Sequence, residues 1–429
     1  MDLKVEFPIN TLRSEFPAVH NNPQQIFFDG PSGSQIHLKV VESVSSILSQ
    51  PVANNISGYR SGDNTIKMFR EARLACADFF NCDPVEIVFG NNMTSLTFSI
   101  SRALMKTLTK GSNIVLSHLD HNGNIAPWEF IADEAGIEKR YIPINTEDCT
   151  LDYETAYKLI DENTKIVAFG YASKACGTIN KVKELIQVVR KKSKALIYLD
   201  GVHSAPHIPV DVKDFDCDFY IFSAYKVFAT HVSVAYGKKN LLENLTAYKL
   251  KSSSNELPSD QNGQVSKWES GTQNLEGIVG VLAAINYLAS IGERFGITKG
   301  RSRRENIVEA FRLIKEYEES LSKVFLEGIL KIPKIKLYGI KDIRRVSERC
   351  PTFSFSIEGE DGNELAKFLN GKNICCSNGH FYAIHFEKNL GLEGKGFLRV
   401  GFLHYNKIEE VQKLISLLQE FVKYNKSKF

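Results

Sequence analysis

The chain has 429 residues, of which 43% are hydrophobic and 24% charged, an ordinary composition for a folded globular protein. Its 53 Lys and Arg residues against 50 Asp and Glu residues leave a formal net charge of +3, which argues against a nucleic-acid or membrane partner. The N-terminus carries charges throughout, and no run approaches the ~18–20 apolar residues of a membrane helix, so we expect a cytoplasmic protein.

Residues 1–30 are expected to form an irregular N-terminal arm. From about residue 36 to 290, short apolar runs alternate with helix-length segments such as 93–108 and 182–192. The runs are β-branched or aromatic and are predicted strands: 87–89, 114–116, 166–169, 196–199, 219–222 and 232–235. Such short runs suit strands buried on both faces of a mainly parallel sheet, and the alternation with helices predicts a three-layer α/β domain over residues 31–290.

The last third of the chain predicts a second unit. Residues 275–288 are apolar and helix-forming, and the charged helical region 293–326 is expected to link two lobes. Predicted strands at 352–357 and 397–401 alternate with predicted helices at 363–369 and 408–424, which indicates a small α+β domain over 291–429. The polar, turn-rich stretch 252–263 reads as an exposed loop.

An acid and an amine follow two successive predicted strands. Asp200 ends the run Tyr-Leu-Asp-Gly, and Lys226 ends Phe-Ser-Ala-Tyr-Lys. Both therefore lie at the carboxyl edge of the sheet, where α/β proteins bind ligands. Chemistry based on pyridoxal-5′-phosphate (PLP) needs this pair, because the lysine forms a Schiff base and the acid keeps the pyridine nitrogen protonated. Singly, the aspartate could be a helix N-cap and the lysine a solvated surface group.

Two weaker signals lie earlier in the chain. Gly-Asn-Asn-Met-Thr-Ser, around Met93 and Thr94, places a helix N-terminus after a strand, which suits a phosphate but also fits simple capping. His121, in Asp-His-Asn-Gly-Asn, could stack on an aromatic cofactor or transfer protons, or be structural.

Other cofactor and metal signatures are missing. The sequence has no GxGxxG, GxxxxGK[ST] or HExxH, which disfavours a dinucleotide enzyme, a P-loop NTPase and a zinc hydrolase. None of the eight cysteines falls in a CxxC or other zinc spacing, so we predict free thiols and no metal site.

Read together, these segments resemble the class V aminotransferases, a family that includes the cysteine desulfurases. The resemblance runs from Phe28-Asp29-Gly30 to His404-Tyr405-Asn406. It implies the large-domain, small-domain architecture of fold-type I PLP enzymes, and a homodimer with active sites shared between subunits.

The resemblance also implies roles for individual residues. Lys226 matches the Schiff-base lysine, Asp200 the partner of the pyridine nitrogen, and His121 the histidine that stacks on the ring. His203 stands where a Gln or His approaches the ring hydroxyl. The matches to phosphate-binding groups are Ser223, Met93, Thr94 and, across the dimer, Thr272 in Glu-Ser-Gly-Thr. Arg399 matches the arginine that holds the substrate carboxylate, with a buried structural ion pair as the alternative.

Three departures from the family pattern bear on function. Lys174 stands where many members have an Asn that contacts the ring hydroxyl and the substrate. The Lys174 side chain could take over these contacts or point to solvent. Tyr225 replaces the His that usually precedes the Schiff-base lysine, here Lys226. Tyr382 occupies the position of the desulfurase's nucleophilic Cys, and Ser377 replaces a nearby Arg. A phenol cannot accept sulfur as a thiolate does. The Gly-x-Phe-Tyr-Ala and His-Tyr-Asn signatures resemble a less characterised, desulfurase-like branch.

The predicted function is a PLP-dependent transferase or lyase acting on a small amino acid, by transamination or by elimination at Cβ. Arg399 is expected to hold the substrate carboxylate while Lys226 removes the Cα proton. Two alternatives stay open. A shifted loop could offer Cys375 or Cys376 for a true cysteine desulfurase, or the chain could keep the fold as a non-catalytic binding protein.

Overall fold

The structure, a computed structural model, describes residues 6–53, 59–258, 267–297 and 300–426. The helices are α1 (Ile9–Ser14), α2 (Pro17–His20), α3 (Leu38–Leu48), α4 (Arg60–Phe80), α5 (Met93–Leu104), α6 (Ala126–Ala135), α7 (Tyr153–Leu159), α8 (Val182–Lys192), α9 (Val212–Phe215), α10 (Lys239–Asn244), α11 (Leu275–Phe295), α12 (Arg303–Ile329), α13 (Gly362–Gly371), α14 (Ile384–Asn389) and α15 (Ile408–Lys426). The strands are β1 (Ile26–Phe27), β2 (Ile87–Gly90), β3 (Asn113–Ser117), β4 (Glu138–Ile142), β5 (Thr164–Gly170), β6 (Leu196–Asp200), β7 (Phe219–Ser223), β8 (Ser233–Gly237), β9 (Ile335–Tyr338), β10 (Thr352–Ile357), β11 (Ile374–Cys375), β12 (Ser377–Gly379) and β13 (Phe397–Gly401).

A seven-stranded sheet forms the centre of the larger unit, in the order β2-β8-β7-β6-β5-β3-β4. The pairs from β7 through β6, β5 and β3 to β4 are parallel, and β8 runs antiparallel to both of its neighbours. Every predicted strand of this domain is present, which confirms the mainly parallel α/β fold.

Helices cover both faces of this sheet. Val115 and Val167 face one core, which also holds Phe79 of α4 and Leu185 of α8. Their neighbours along the same strands, such as Ile114 and Ala168, face a second core shared with α5 and α6. Because successive strand residues point to opposite faces, uninterrupted apolar runs are what a doubly covered sheet requires.

Strand β4 was not predicted. Its sequence, Glu-Lys-Arg-Tyr-Ile, has little apolar character, and only Ile142 is buried. The strand pairs with β3 alone, at the edge of the sheet. An edge strand needs few buried side chains, so its formation depends on backbone pairing more than on a hydrophobic pattern.

Helix α11 is long and apolar enough to cross a membrane by length and composition, against the expectation that no segment approaches this. Within the protein, 67% of its most apolar stretch is buried. It packs against α3, α4 and α12, so its hydropathy is that of a core helix.

The predicted continuous helical region 293–326 is interrupted. Helix α11 ends at Phe295, and α12 begins after Ser302, whose side chain forms a capping box with Glu305.

The smaller unit contains an antiparallel sheet in the order β12-β13-β10-β9. Its core takes side chains from α12, α13 and α15, as the predicted α+β unit requires. The predicted irregular arm instead contains α1, α2 and β1, which pairs with β11; Leu12 of α1 and Phe16, which precedes α2, are fully buried. Packing against the rest of the chain, rather than local propensity, stabilises such short helices. The domain boundaries near 30 and 290 stay predictions.

Candidate active site

The carboxyl ends of β6 and β7 bring Asp200 and Lys226 to one edge of the central sheet. The two strands are parallel neighbours, with Asp200 opposite Ile221. Lys226 lies on the short 3-10 turn Ala224–Lys226 that follows β7. Gly201 comes directly after Asp200 because a side chain there would lie 2.0 Å from the phenol of Tyr220.

A cavity opens at this edge, as expected for a ligand site at the carboxyl ends of parallel strands. Seven of the nine predicted site residues line it: Met93, Thr94, His121, Asp200, His203, Ser223 and Lys226. Lys174 lines it too, so its side chain faces the cavity. Arg399 and Thr272 do not line it.

Lys226 is buried, with 3% of its surface exposed, and its Nζ donates a 2.6 Å hydrogen bond to the carbonyl oxygen of Pro31. Burial lowers the pKa of the amine to about 7, with Arg399 adding to the shift and Asp200 opposing it. A large fraction of this amine is therefore neutral near pH 7, the state in which a lysine is a nucleophile.

Asp200 is buried, and its Oδ1 accepts a 2.9 Å hydrogen bond from the Val202 N–H. Burial raises the pKa of the carboxyl to about 6, while Lys226 and Lys174 lower it. The group is thus mainly a carboxylate at pH 7. It could neutralise a cation placed in the cavity.

Asp120 is a second carboxyl in the cavity and was not predicted. Its oxygens accept hydrogen bonds from the Gly170 N–H, at 2.8 Å, and from Nδ2 of Asn124, at 3.1 Å. Burial, reinforced by Asp200, raises the pKa of Asp120 to about 8. The available signal was its position directly before His121, a few residues after the predicted strand 114–116.

His121 lies between the sheet edge and α6. Its Nδ1 accepts a 2.9 Å hydrogen bond from the N–H of Gly123, where a Cβ would lie 2.8 Å from both Nδ1 and the hydroxyl of Thr94. Burial and the nearby cations lower the pKa of the imidazole to about 2. The imidazole of His121 is therefore neutral, and its hydrogen bond within the turn fixes its orientation. Both properties suit a ring that stacks on a flat ligand.

The N-terminus of α5 closes one end of the cavity. The Met93 N–H donates to Oγ of Ser223 at 3.1 Å, which joins the helix to the end of β7. Asn92 caps the helix by accepting from the Ser95 N–H at 2.9 Å. The positive end of the helix and the Thr94 and Ser223 hydroxyls together suit a phosphate.

The loop that carries Tyr382 lies over the cavity. Its carbonyl accepts a 2.8 Å hydrogen bond from the Asn122 N–H, and its ring centroid lies 5.5 Å from that of His121. Lys174 Nζ lies 5.9 Å from the Tyr382 ring centroid. Phe381 and Tyr382 both adopt left-handed backbone angles, with φ of 50° and 61°. Two such non-glycine residues in a row are costly, and strain of this kind concentrates at functional sites.

Arg399 lies in the middle of β13, behind the same loop. Its Nη2 donates to Ser32 Oγ at 2.7 Å, its Nη1 to the Lys174 carbonyl at 3.1 Å, and its guanidinium stacks on Phe381 at 3.7 Å. Among the described residues no carboxylate lies within 4 Å of it, so it is not the buried ion pair of the alternative reading. Burial lowers its pKa to about 9, which leaves a cation at neutral pH.

The structure does not bring Thr272 to the cavity. It is exposed and lines a surface groove with Val52, Thr65 and Phe69. The nearby Glu269 is buried in an ion pair with Arg73, whose Nη2 donates to both carboxylate oxygens. The predicted contact of Thr272 with a phosphate across a dimer stays a prediction.

Neither cysteine of the desulfurase alternative lines the cavity. Cys375 pairs in β11 and its sulfur accepts a 3.0 Å hydrogen bond from Nε2 of Gln25. Cys376 is buried. Burial raises the pKa of both thiols, that of Cys376 to about 12. Thiols of this kind are unreactive.

Comparisons with known proteins agree with this geometry. The family model for aminotransferase class V matches residues 26–414. The chain is 30% identical over 420 residues to the aminotransferase-like protein FGM3 of Gibberella zeae, covering 96% of this chain and 98% of that protein. It is 28% identical over 427 residues to a cysteine desulfurase of Pectobacterium atrosepticum, covering 97% and 98%.

A solved structure gives the same result for the fold. The apo cysteine desulfurase of Thermococcus onnurineus NA1 superposes with a TM-score of 0.84 at 25% identity, covering 97% of this chain and 98% of that one. This confirms the fold-type I architecture predicted for the large and small units. The chain therefore belongs to the aminotransferase class V family, as its sequence predicted, and is a PLP-dependent enzyme of the transferase or lyase type.

Proposed function

We propose that this chain binds PLP covalently through Lys226 and acts on a small amino acid, as an aminotransferase or as a lyase that eliminates at Cβ. The observation that carries the proposal is the meeting of a buried, low-pKa amine and a buried carboxylate in one cavity. Bound PLP would supply an electron sink for the carbanion formed at Cα of the substrate.

The cavity fits the cofactor at three points. The N-terminus of α5, with Thr94 and Ser223, would hold the phosphate. Asp200 would face the pyridine nitrogen, and the neutral, fixed ring of His121 would lie against the face of the pyridine. Each contact uses a group whose charge state at pH 7 matches the part of PLP it meets.

The chain's own groups would handle the substrate. Arg399 would bind the carboxylate, because its fork is already oriented by Ser32, by the Lys174 carbonyl and by the Phe381 ring. Asp29 attracts it electrostatically, but no carboxylate of the described residues lies within ion-pair distance. Lys226, with its pKa near 7, can take a proton from Cα at neutral pH.

The lining of the cavity favours transamination or elimination over sulfur transfer. No cysteine lines it within the part of the chain that the structure describes, and Tyr382 occupies the loop over its mouth. Cys375 and Cys376 are engaged elsewhere, and burial raises their pKa values. The non-catalytic alternative has no structural feature in its favour, since Lys174 accompanies Lys226 in the cavity without displacing it.

The two cavity lysines offer a matched test. Purified protein loaded with PLP is reduced with borohydride, and the labelled peptide is identified by mass spectrometry. We expect the label on Lys226, its loss in Lys226→Ala, and its retention in Lys174→Ala. A label on Lys174, or none on wild type, contradicts the proposal.

The same holoprotein is then supplied with a panel of amino acids, with pyruvate, sulfide and the amine form of the cofactor as readouts. We expect pyruvate or the amine form, at a level unchanged by Cys375→Ala and Cys376→Ala. Sulfide or persulfide output that falls in either cysteine variant would instead establish the desulfurase.

A further inference from the structure

A second group of reactive side chains lies behind the cavity. It contains His203, His207 and Cys350, all buried, and one potential ligand atom from each lies within 4.8 Å of the other two. Imidazole nitrogen and thiolate sulfur are the ligands that zinc prefers. Of these three residues, only His203 has a role in the proposed PLP chemistry, where it would approach the ring hydroxyl. His207 and Cys350 have none.

The local fold explains why the two histidines lie together. They sit on helical turns after β6, where the Ala205 N–H donates to the Gly201 carbonyl at 2.9 Å and the His207 N–H donates to the Ser204 carbonyl at 2.9 Å. Positions four apart on such a turn project from the same side.

Cys350 arrives from the smaller unit. It precedes β10, and its N–H donates to the carbonyl of Gly177 in the larger unit at 2.8 Å. The three side chains therefore meet where the two units join. No local sequence motif could have revealed this, because Cys350 is far from the His-x-x-x-His pair along the chain.

The hydrogen bonds around the histidines match those of a metal site. Nδ1 of His207 lies 2.7 Å from Oε2 of Glu318 on α12, and Glu318 is 3% exposed. A carboxylate on one ring nitrogen orients a histidine so that the other nitrogen can bind a metal. Nε2 of His203 is fully buried and has no hydrogen-bond partner, which is costly for a polar atom unless a ligand meets it.

The surrounding charges can accommodate a dication. Arg349 and Lys315 also line this region. Glu319 offsets the charge of Lys315 at 4.0 Å, and Arg349 remains a cation whose Nη2 is directed to the Cys176 carbonyl, 3.0 Å away. The Cys350 thiolate and the Glu318 carboxylate would balance the two positive charges of the metal ion.

We propose that His203, His207 and Cys350 form a binding site for a divalent transition metal of the zinc type, with Glu318 orienting His207. Two ligands of one tetrahedral zinc ion lie about 3.3–3.6 Å apart, so side-chain shifts of about 1 Å would close the site. Three protein ligands leave a fourth position for water. The metal would tie the small unit to His203, which also lines the cavity.

Zinc content tests the site. Tag-free holoprotein is equilibrated with Zn²⁺ against a competing chromophoric chelator, and bound zinc per chain is measured by mass spectrometry. We expect one zinc ion per wild-type chain, at least about tenfold weaker binding in Cys350→Ser and in His207→Gln, and about 10- to 100-fold weaker binding in Glu318→Gln. Cys217→Ser is the matched control, since Cys217 is equally buried but lies before the amino end of β7.

Cobalt substitution gives a readout on wild type alone, in case a variant fails to fold. Bound Co²⁺ is expected to show a thiolate-to-cobalt charge-transfer band, and X-ray absorption a single sulfur ligand. Wild type that binds no zinc, cobalt bound without sulfur, or equal binding by Cys350→Ser and wild type would each overturn the proposal.

Discussion

Two lysine side chains share the active-site cavity, and burial lowers the pKa of both. The pKa of Lys226 falls to about 7 and that of Lys174 to about 5. Lys174 is therefore neutral at physiological pH, so the cavity avoids a repulsive pair of ammonium groups. A neutral amine can donate or accept a hydrogen bond where the family pattern has the amide of Asn.

Capture of PLP by the apoprotein should depend on pH through Lys226. Only the neutral amine attacks an aldehyde, and its fraction grows as pH rises, so the capture rate should increase with an inflection near pH 7 and then level off. Stopped-flow measurement between about pH 5.5 and 9 checks this.

A variant tests the electrostatic cause. Arg399 lowers the pKa of Lys226, so Arg399→Gln should move the inflection to higher pH. A capture rate that still rises tenfold per unit above pH 8.5, as for an ordinary lysine of pKa near 10.4, would contradict the burial of a low-pKa amine.

At the level of single residues, candidate site residues at or just after the end of a predicted strand could be identified from the sequence. Asp200 and Ser223 end their strands, and Lys226 lies three residues beyond β7, so sheet geometry gathers them. Asp120 lies equally far beyond β3 but was missed, because the neighbouring His121 carried the family resemblance in that segment. Cys350 meets the histidines only through the packing of two units, which no local pattern encodes.

The turn Asn122–Asn124 is the element that fixes His121. It tolerates only a small residue at Gly123, whose missing side chain leaves room for the Thr94 hydroxyl and for the histidine ring. The turn also anchors the Tyr382 loop through the Asn122 N–H. This one turn thus positions the His121 ring, the Thr94 hydroxyl and the loop that carries Tyr382.

Gly123→Ala should therefore weaken PLP binding by roughly tenfold or more, because a Cβ would displace both His121 and Thr94 by contacts of 2.8 Å. Gly371→Ala is the control, since no atom lies within 4 Å of the added carbon there. Fluorescence titration of apoprotein with PLP gives the dissociation constants. Equal constants for wild type and Gly123→Ala would show that the turn does not position these groups.

The helices and strands with buried apolar runs were predictable. The strands that form mainly through backbone hydrogen bonds to a neighbouring strand were not. The strands β5, β6 and β7 follow their predicted runs closely, and α8 matches its predicted bounds. The edge strand β4 and the short strands β11 and β12 carry no such signal. The break between α11 and α12 contains Gly296 and Gly300 and precedes the Ser302-x-x-Glu305 capping box, but the prediction gave more weight to the helix-forming residues on both sides.

At the scale of the whole molecule, the exposed Thr272 predicts that the active site is completed by a second copy of the chain. The family resemblance implies that Thr272 contacts the phosphate of PLP. In its own chain, however, Thr272 is exposed and lines a surface groove instead of the active-site cavity, so the phosphate it contacts would be bound by a second chain. Light scattering should then give twice the 48.2 kDa chain mass.

Hybrid dimers test the sharing directly. Lys226→Ala and Thr272→Ala chains are each expected to be impaired alone, but a mixed dimer contains one site with both Lys226 and Thr272 intact. Mixing after mild dissociation should therefore restore activity. No recovery, despite hybrids detected by mass spectrometry, would place Thr272 outside the working site.

The segment around Pro31 has a consequence for biosynthesis. Asp29 bridges to Gly401, the Pro31 carbonyl holds Lys226, and the Ser32 hydroxyl holds Arg399. Residues 29–32 thus acquire these partners only after β13, a strand far along the chain, has been synthesised. A nascent chain that stops short of residue 401 has the residues that line the cavity but not the completed Arg399 side of the site, which must therefore form later than the cavity itself.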